Sequence, residues 1–429
     1  MLLLALNDDV LAAVLSFAVP VDALQFGKTC RHAYTISIPH YLSDVSIKKH
    51  AQLSGFCAFM LAEPYRRPAC VHAFHLGTLR PQRSDLLALS EVLLHAKSLE
   101  SLRLDHLEDL LSEPSLGDAL AALTCLDSIS FSFLGKSCSA LLPRMASRPR
   151  NIKLELFVDL NLQGCMLSNF ADCLETLQLR LTFGFQDRLS VDVIWSRVRT
   201  LHIHDPGDVL LSHLARAFPN VRHLKLRLCP VCLDLSPHWA SLDEVDTSAP
   251  IELFSRVRRL TLGYDVIKAP EESNRAALVM LQHASPVVLT CEVLPETVER
   301  IPEVAPDLKY LMITLKEDRS EVVDLAVSSQ SLRISRALDG LPLVALSFGL
   351  RSHSPLCDIR RLQYAARQTA AALPTLQYIA FDTLFDLGSP RSRCWFRVIS
   401  GDDGLPRVDL LPRVEIDVVE PQLLALDRA

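Results

Sequence analysis

An apolar side chain, a second three residues later and a third two further on recur along most of this chain. That i, i+3, i+5 rhythm constrains its fold more than any other feature. It appears in Val71/Phe74/Leu76, Leu99/Leu102/Leu104, Leu126/Ile129/Phe131, Leu174/Leu177/Leu179, Val198/Leu201/Ile203, Val221/Leu224/Leu226, Val257/Leu260/Leu262, Leu308/Leu311/Ile313, Leu343/Leu346/Phe348 and Leu376/Ile379/Phe381. Asn151/Leu154/Leu156 fits with a degraded first place. In a short strand the i+3 and i+5 side chains point to one side, and the i residue enters from the preceding turn. Between the strands, the apolar spacing of Ser84 to Ala96 and of Leu116 to Leu123 predicts helices. One strand and one helix cannot bury their own apolar faces, so successive units must stack on each other. The expected fold is therefore an α/β solenoid, a curved parallel sheet with helices on its outer face.

The first places fall at 71, 99, 126, 151, 174, 198 and 221, an interval within the range of leucine-rich repeats, about 20 to 29 residues. Past residue 228 the rhythm loosens to a weak Leu242/Val245 signal and an apolar run from Val287 to Val293. Trp395, Phe396 and Val398 predict a last strand before GDDG at 401–404. The expected segments are a helical module over 1–45, a helical linker or N-terminal cap over 46–70, the array over 71–400, and a cap or returning tail over 401–429. With 49% hydrophobic and 22% charged residues in 429, the chain has material for a large core. A net charge of -6 and 14 dispersed histidines exclude the basic footprint of a nucleic-acid binder. MLLLA at the start lacks a basic flank and runs into Asn7, Asp8 and Asp9, which is unlike a signal peptide. No uncharged apolar stretch approaches the ~18 residues of a membrane span. The 12 cysteines then read as reduced thiols in the cytoplasm or nucleus.

Ahead of the array, Asn7 or Asp8 can cap a helix carrying Val10, Leu11, Val14, Leu15 and Phe17. Pro20 and Asp22 mark a turn into a second helix near Asp22 or Ala23, and a third runs from Arg31 to Ile38 with Pro39 closing it. Three helices in so short a stretch make a poor core alone, so an apolar face must meet a partner or the first repeat. Leu6, Asp9-Val10-Leu11, Val14-Leu15, Val21-Asp22-Ala23-Leu24 and Thr29-Cys30-Arg31 resemble an F-box of the divergent kind common in fungal families. Asn7 stands where that family usually has proline, and Gly27 falls inside the second helix, costing about 1 kcal/mol against alanine. The resemblance implies docking on a Skp1-like adaptor and, through it, a cullin, with Leu6, Val10, Leu11, Val14, Leu15 and Leu24 as the adaptor-binding residues. The array resembles the irregular leucine-rich repeats associated with F-boxes, in which the asparagine ladder of regular repeats is largely missing.

Familiar catalytic motifs are missing from the sequence: no GxSxG elbow, phosphate-cradling loop, HExxH or dinucleotide glycine pattern occurs. Cys229-x2-Cys232 has no second pair to complete a zinc site. His202 and His204 share a strand face and read as surface rather than as metal ligands. Cys30 and Cys138 have no assignable base and read as small hydrophobes. Recognition falls instead to side chains between the inward positions: Arg103, Ser130, Glu155, Gln178, His202, Lys225, Thr261, Met312 and Ser347, with Arg180, His204 and Arg227 just beyond. Their mixed but partly cationic character suits an acidic or phosphorylated protein segment. The expected function is a non-catalytic substrate receptor of a Skp1–cullin–F-box ubiquitin ligase, without cofactor, metal, nucleic acid or membrane partner. The competing expectation is a leucine-rich-repeat interaction scaffold whose first helices cap the array.

Overall fold

The computed structural model describes residues 6–77, 81–156, 165–181, 193–204, 211–227, 239–251, 253–263, 270–293, 295–315, 331–350, 359–383, 392–401 and 405–427. The chain divides into two compact units, Met1–Asp205 with Ala217–Asn220 and Pro206–Arg216 with Val221–Ala429. Cys229, Cys232 and most of GDDG lie outside the described residues.

The first unit opens with three helices, α1 (Asp8–Ser16), α2 (Pro20–Gly27) and α3 (Arg31–Leu42). Pro20 occupies the first turn of α2, where a missing N–H costs nothing. Pro39 does not close α3. The helix continues to Leu42, because the buried Leu42 side chain anchors the last turn and outweighs the lost backbone bond. Seven strands follow: β1 (Asp44–Ile47), β2 (Ala73–Leu76), β3 (Ser101–Leu104), β4 (Ser128–Leu134), β5 (Asn151–Leu156), β6 (Thr176–Leu181) and β7 (Thr200–His204). Each pairs in parallel with the next. Helices α4 (His50–Leu61) and α5 (Arg83–His95) pack side by side after β1 and β2, and Pro114–Ala122 packs on α5. The ladder therefore starts at Asp44, across the boundary expected between the helical module (1–45) and the linker (46–70), with Leu42/Val45/Ile47 as its first apolar triplet.

The register corrects the phase of one repeat. Ile152 pairs with Ile129 and Leu177, and Leu154 pairs with Phe131 and Leu179. The triplet is therefore Pro149/Ile152/Leu154, with a buried proline in the first place. Proline can serve there because the position lies ahead of the strand and owes it no amide.

The second unit holds β8 (His223–Arg227), β9 (Ser241–Thr247), β10 (Arg256–Leu262), β11 (Val288–Val293), β12 (Tyr310–Leu315), β13 (Ala345–Leu350), β14 (Tyr378–Thr383), β15 (Ser392–Ser400) and β16 (Pro406–Leu410). Pairing is parallel from β8 to β14 and antiparallel for β15 and β16. The expected all-parallel sheet thus ends in a hairpin, which needs no helical crossover. Helices Pro270–Ala284 and Ile359–Ala372 bury one stripe each against this unit.

A repeated backbone device enters the strands. The carbonyl of His72 accepts amides from Glu100 and Ser101 at 2.8 and 2.9 Å, that of Glu100 from Asp127 and Ser128, and that of Asp127 from Arg150 and Asn151. Arg150 and Glu175 continue the series, and Val287, Lys309 and Val344 repeat it in the second unit. Each of these carbonyls thereby accepts two amides without side-chain help. No helix among the described residues is long and apolar enough to cross a membrane.

Candidate protein-interaction surfaces

The N-terminal helices present the first surface. Asn7, which departs from the family pattern, caps α1 by accepting from the Asp9 amide at 3.3 Å. Gly27 has a packing reason: a Cβ there would overlap the hydroxyl of Ser37, itself buried on α3. Leu11, Leu15, Ala23, Ala33 and Ile38 form the small core. The six residues assigned to the adaptor consequently separate. Leu11 at 1% and Leu15 at 7% exposure face inward and hold the helices together, whereas Leu6, Val10 and Val14 are 41–48% exposed. Leu24 is half-buried at a cleft of about 610 Å³ shared with Tyr34, Ile38, Tyr41, Phe56 and Phe59. Phe17, Val19 and Val21 extend the exposed set, Phe17 at 91%. Their signal was in the sequence: Val10, Val14 and Phe17 lie at i, i+4 and i+7 on one helical face.

The polar strand face of the first unit is the second surface. Across β1 to β7, Ser46, His75, Arg103, Ser130, Lys153, Gln178 and His202 stand in one register row. Ser132, Glu155, Arg180 and His204 form the next. Glu155 therefore belongs one row over from Arg103 and Gln178, and Lys153 stands in the place expected for Glu155. Neighbours in these rows bond sideways. Ser46 Oγ meets His75 Nδ1 at 3.2 Å, His75 Nε2 meets Asp105 Oδ2 at 3.3 Å, and the Ser132 hydroxyl donates to Asp105 Oδ1 at 3.1 Å. Burial alone would raise the Asp105 pKa, but the His75 and Ser132 hydrogen bonds and the Arg103 charge outweigh it and hold the carboxyl below its ordinary value. Arg180 pairs with Glu155 at 3.0 Å. Ser46, His75 and Asp105 superficially repeat the order nucleophile, base and carboxylate. The Gly77 amide beside them is spent on the Ile47 carbonyl at 2.9 Å, so it is no donor to a reacting oxygen.

The third surface is the corresponding face of the second unit. Lys225 and Arg227 both reach Asp246, at 2.7 and 2.9 Å, and Arg259 reaches Glu244 at 3.6 Å. The cationic patch expected there is thus largely neutralised within the sheet. Farther along, the face turns apolar and is covered. A C-terminal helix, Arg413–Leu424, lays Val419 and Leu423 with Leu411 onto Val288, Tyr310, Ala345, Ala380 and Trp395. Met312 is partly buried against this cluster, and Ser347 is 6% exposed. Both stood among the expected recognition residues. Thr261 remains half-buried on β10. The 401–429 segment does both: β16 pairs along β15 at the end of the sheet, and the helix then runs back along its face.

Charges rivet the tail down. Arg393 bonds both carboxylate oxygens of Glu420, at 2.5 and 2.6 Å, and Asp382 at 3.1 Å. Arg397 bonds Glu415 at 2.7 Å, Arg258 donates to the Leu424 carbonyl at 2.9 Å, and Lys309 donates to the Asp427 carbonyl at 2.7 Å. Burial opposes the charge on Arg393, but Asp382 and Glu420 overcome that and raise its pKa. The sequence did carry a signal for this cover: past residue 287 the outward positions Val288, Tyr310, Met312, Tyr378 and Trp395 are apolar too, as strands buried on both faces require.

Among the described residues, no group of three or more His, Cys, Asp or Glu could hold a metal ion. Cys138 is deeply buried, and burial with the nearby Glu108 carboxylate pushes its thiol pKa up. No protein-family model matches the sequence, and no curated protein matches it significantly.

Proposed function

We propose that this chain is a substrate-recognition receptor of a Skp1–cullin–F-box ubiquitin ligase, built from a divergent F-box and an irregular leucine-rich-repeat body. The observation that carries the reading is the open apolar face of the first helices. Leu6, Val10, Val14, Phe17, Val19 and Val21 are all at least 41% exposed while Leu11 and Leu15 secure the bundle. An apolar cap for the array would turn that face inward, so its openness favours docking over capping. In this reading the face seats on a Skp1-like adaptor, the adaptor joins a cullin, and the polar strand rows of the first unit receive the client protein. The receptor itself performs no bond chemistry. It raises the local concentration of an acceptor lysine beside a transfer enzyme held elsewhere in the complex.

Copurification of the full chain with a Skp1-like adaptor tests the proposal. Val10→Asp with Val14→Asp places two charges in the centre of the contact and should weaken binding at least about 10-fold while leaving the fold intact. Failure of the folded parent chain to bind any such adaptor at micromolar concentration would sink it.

A further inference from the structure

The C-terminal helix lies on the second unit as a ligand lies on a receptor. Beneath it, Val288, Tyr310, Ala345, Ala380 and Trp395 form an apolar floor. Opposite charges are sorted across the contact. Arg393 and Arg397 belong to the sheet, and Glu415 and Glu420 belong to the helix. Arg258 and Lys309 hold the carbonyls at the helix end. The fit is also incomplete. The Tyr310 hydroxyl and the Trp395 indole N–H, on side chains 1% and 2% exposed, have no hydrogen-bond partner among the described residues. Finally, Pro421 interrupts the 12-residue helix, which removes a backbone bond and leaves a segment too short to hold helical form without its seat.

We propose that the face of β11 to β15 is a helix-binding site whose resident, displaceable occupant is the C-terminal helix. The partner it admits is a protein segment forming an acidic amphipathic helix. That segment carries a valine and leucine stripe for the floor and two carboxylates for Arg393 and Arg397. Calling this partner the client rests on the receptor reading; the site itself does not, and its test involves no adaptor.

Hydrogen exchange on the unaltered full chain comes first. The amides of Arg413–Leu424 should open at least about 10-fold more readily than those of β12 to β14, which stay paired when the helix lifts. A full-length Glu415→Lys/Glu420→Lys variant then frees the site. A fluorescent peptide of residues 411–427 should bind it at least about 10-fold more tightly than it binds the parent. The same peptide with both glutamates changed to lysine should not bind. Exchange of the helix at the same rate as β12 to β14 overturns the proposal. So does a folded variant that takes up no peptide, or a variant that loses its fold, since each makes the helix an integral wall of the unit.

Discussion

Val14 and Leu15 are neighbours in sequence, yet one is 48% exposed and the other 7%. A helix turns each residue by about 100° from the last, so adjacent apolar side chains on a thin bundle divide between core and surface. The resemblance to an F-box assigned both to the adaptor and could not separate them, because the same residue types serve both tasks. Their replacements should separate them. Leu15→Ala leaves a cavity among α1, α2 and α3 and should destabilise the module by about 2–4 kcal/mol. Val14→Ser, already open to water, should change stability by no more than about 0.5 kcal/mol. Urea unfolding followed by circular dichroism measures both, and equal losses would contradict the inward placement of Leu15. Gly27 belongs to the same scale: its cost in helix propensity is the condition for bringing α2 onto Ser37 of α3.

At the scale of elements, β5 shows where sequence reading fails. Its run NIKLEL sets Ile152, Leu154 and Leu156 on one side, so either Ile152 with Leu154 or Leu154 with Leu156, two residues apart in register, satisfies the apolar rhythm. Neighbouring strands decide, since Ile152 must meet Ile129 and Leu177 and register is a property of pairs rather than of one strand. Ile152→Ala should therefore cost about 2–4 kcal/mol in the first unit, while Lys153→Ala on the open face should stay within about 0.5 kcal/mol. A neutral Ile152→Ala would contradict the buried place of Ile152 between Ile129 and Leu177. Strands with clean spacing, such as Leu99/Leu102/Leu104, were legible because each first place is a large aliphatic residue. β1 was missed because its triplet begins at Leu42, the last residue of a helix. The seat of the tail, expected as either a cap or a returning segment, could not be placed for a different reason. Its contacts join residues far apart in sequence, and only the doubled apolar character of β11 to β14 hinted that a second layer lay above them.

For the whole molecule, buried thiols offer an independent reporter in each unit. Cys57 and Cys138 lie in the first and Cys291 in the second, all buried, whereas Cys30 and Cys125 are exposed. Burial pushes the thiols of Cys57 and Cys291 up to about 12 from an ordinary value of 9.0. The nearby Asp85 carboxylate adds to the shift at Cys57. Thiolate is the form that reacts with alkylating reagents, so the buried groups are doubly protected, by exclusion and by protonation. At about pH 8, Cys30 and Cys125 should label at once and the buried three only through unfolding. Labelling across a urea series, read by peptide mass spectrometry, should then give one midpoint from Cys57 and Cys138 and a separate one from Cys291. The pH dependence has a fixed sign. A thiol pKa raised in the folded state contributes stability fully below the unfolded value of 9.0 and loses it as pH rises toward about 12. The Cys291 midpoint should fall between about pH 8 and about pH 10 as the unfolded thiol begins to ionise and the folded one does not. In Cys291→Ala, with the same transition read by tryptophan fluorescence, that part of the slope should vanish; an unchanged slope would assign the alkaline loss to other groups.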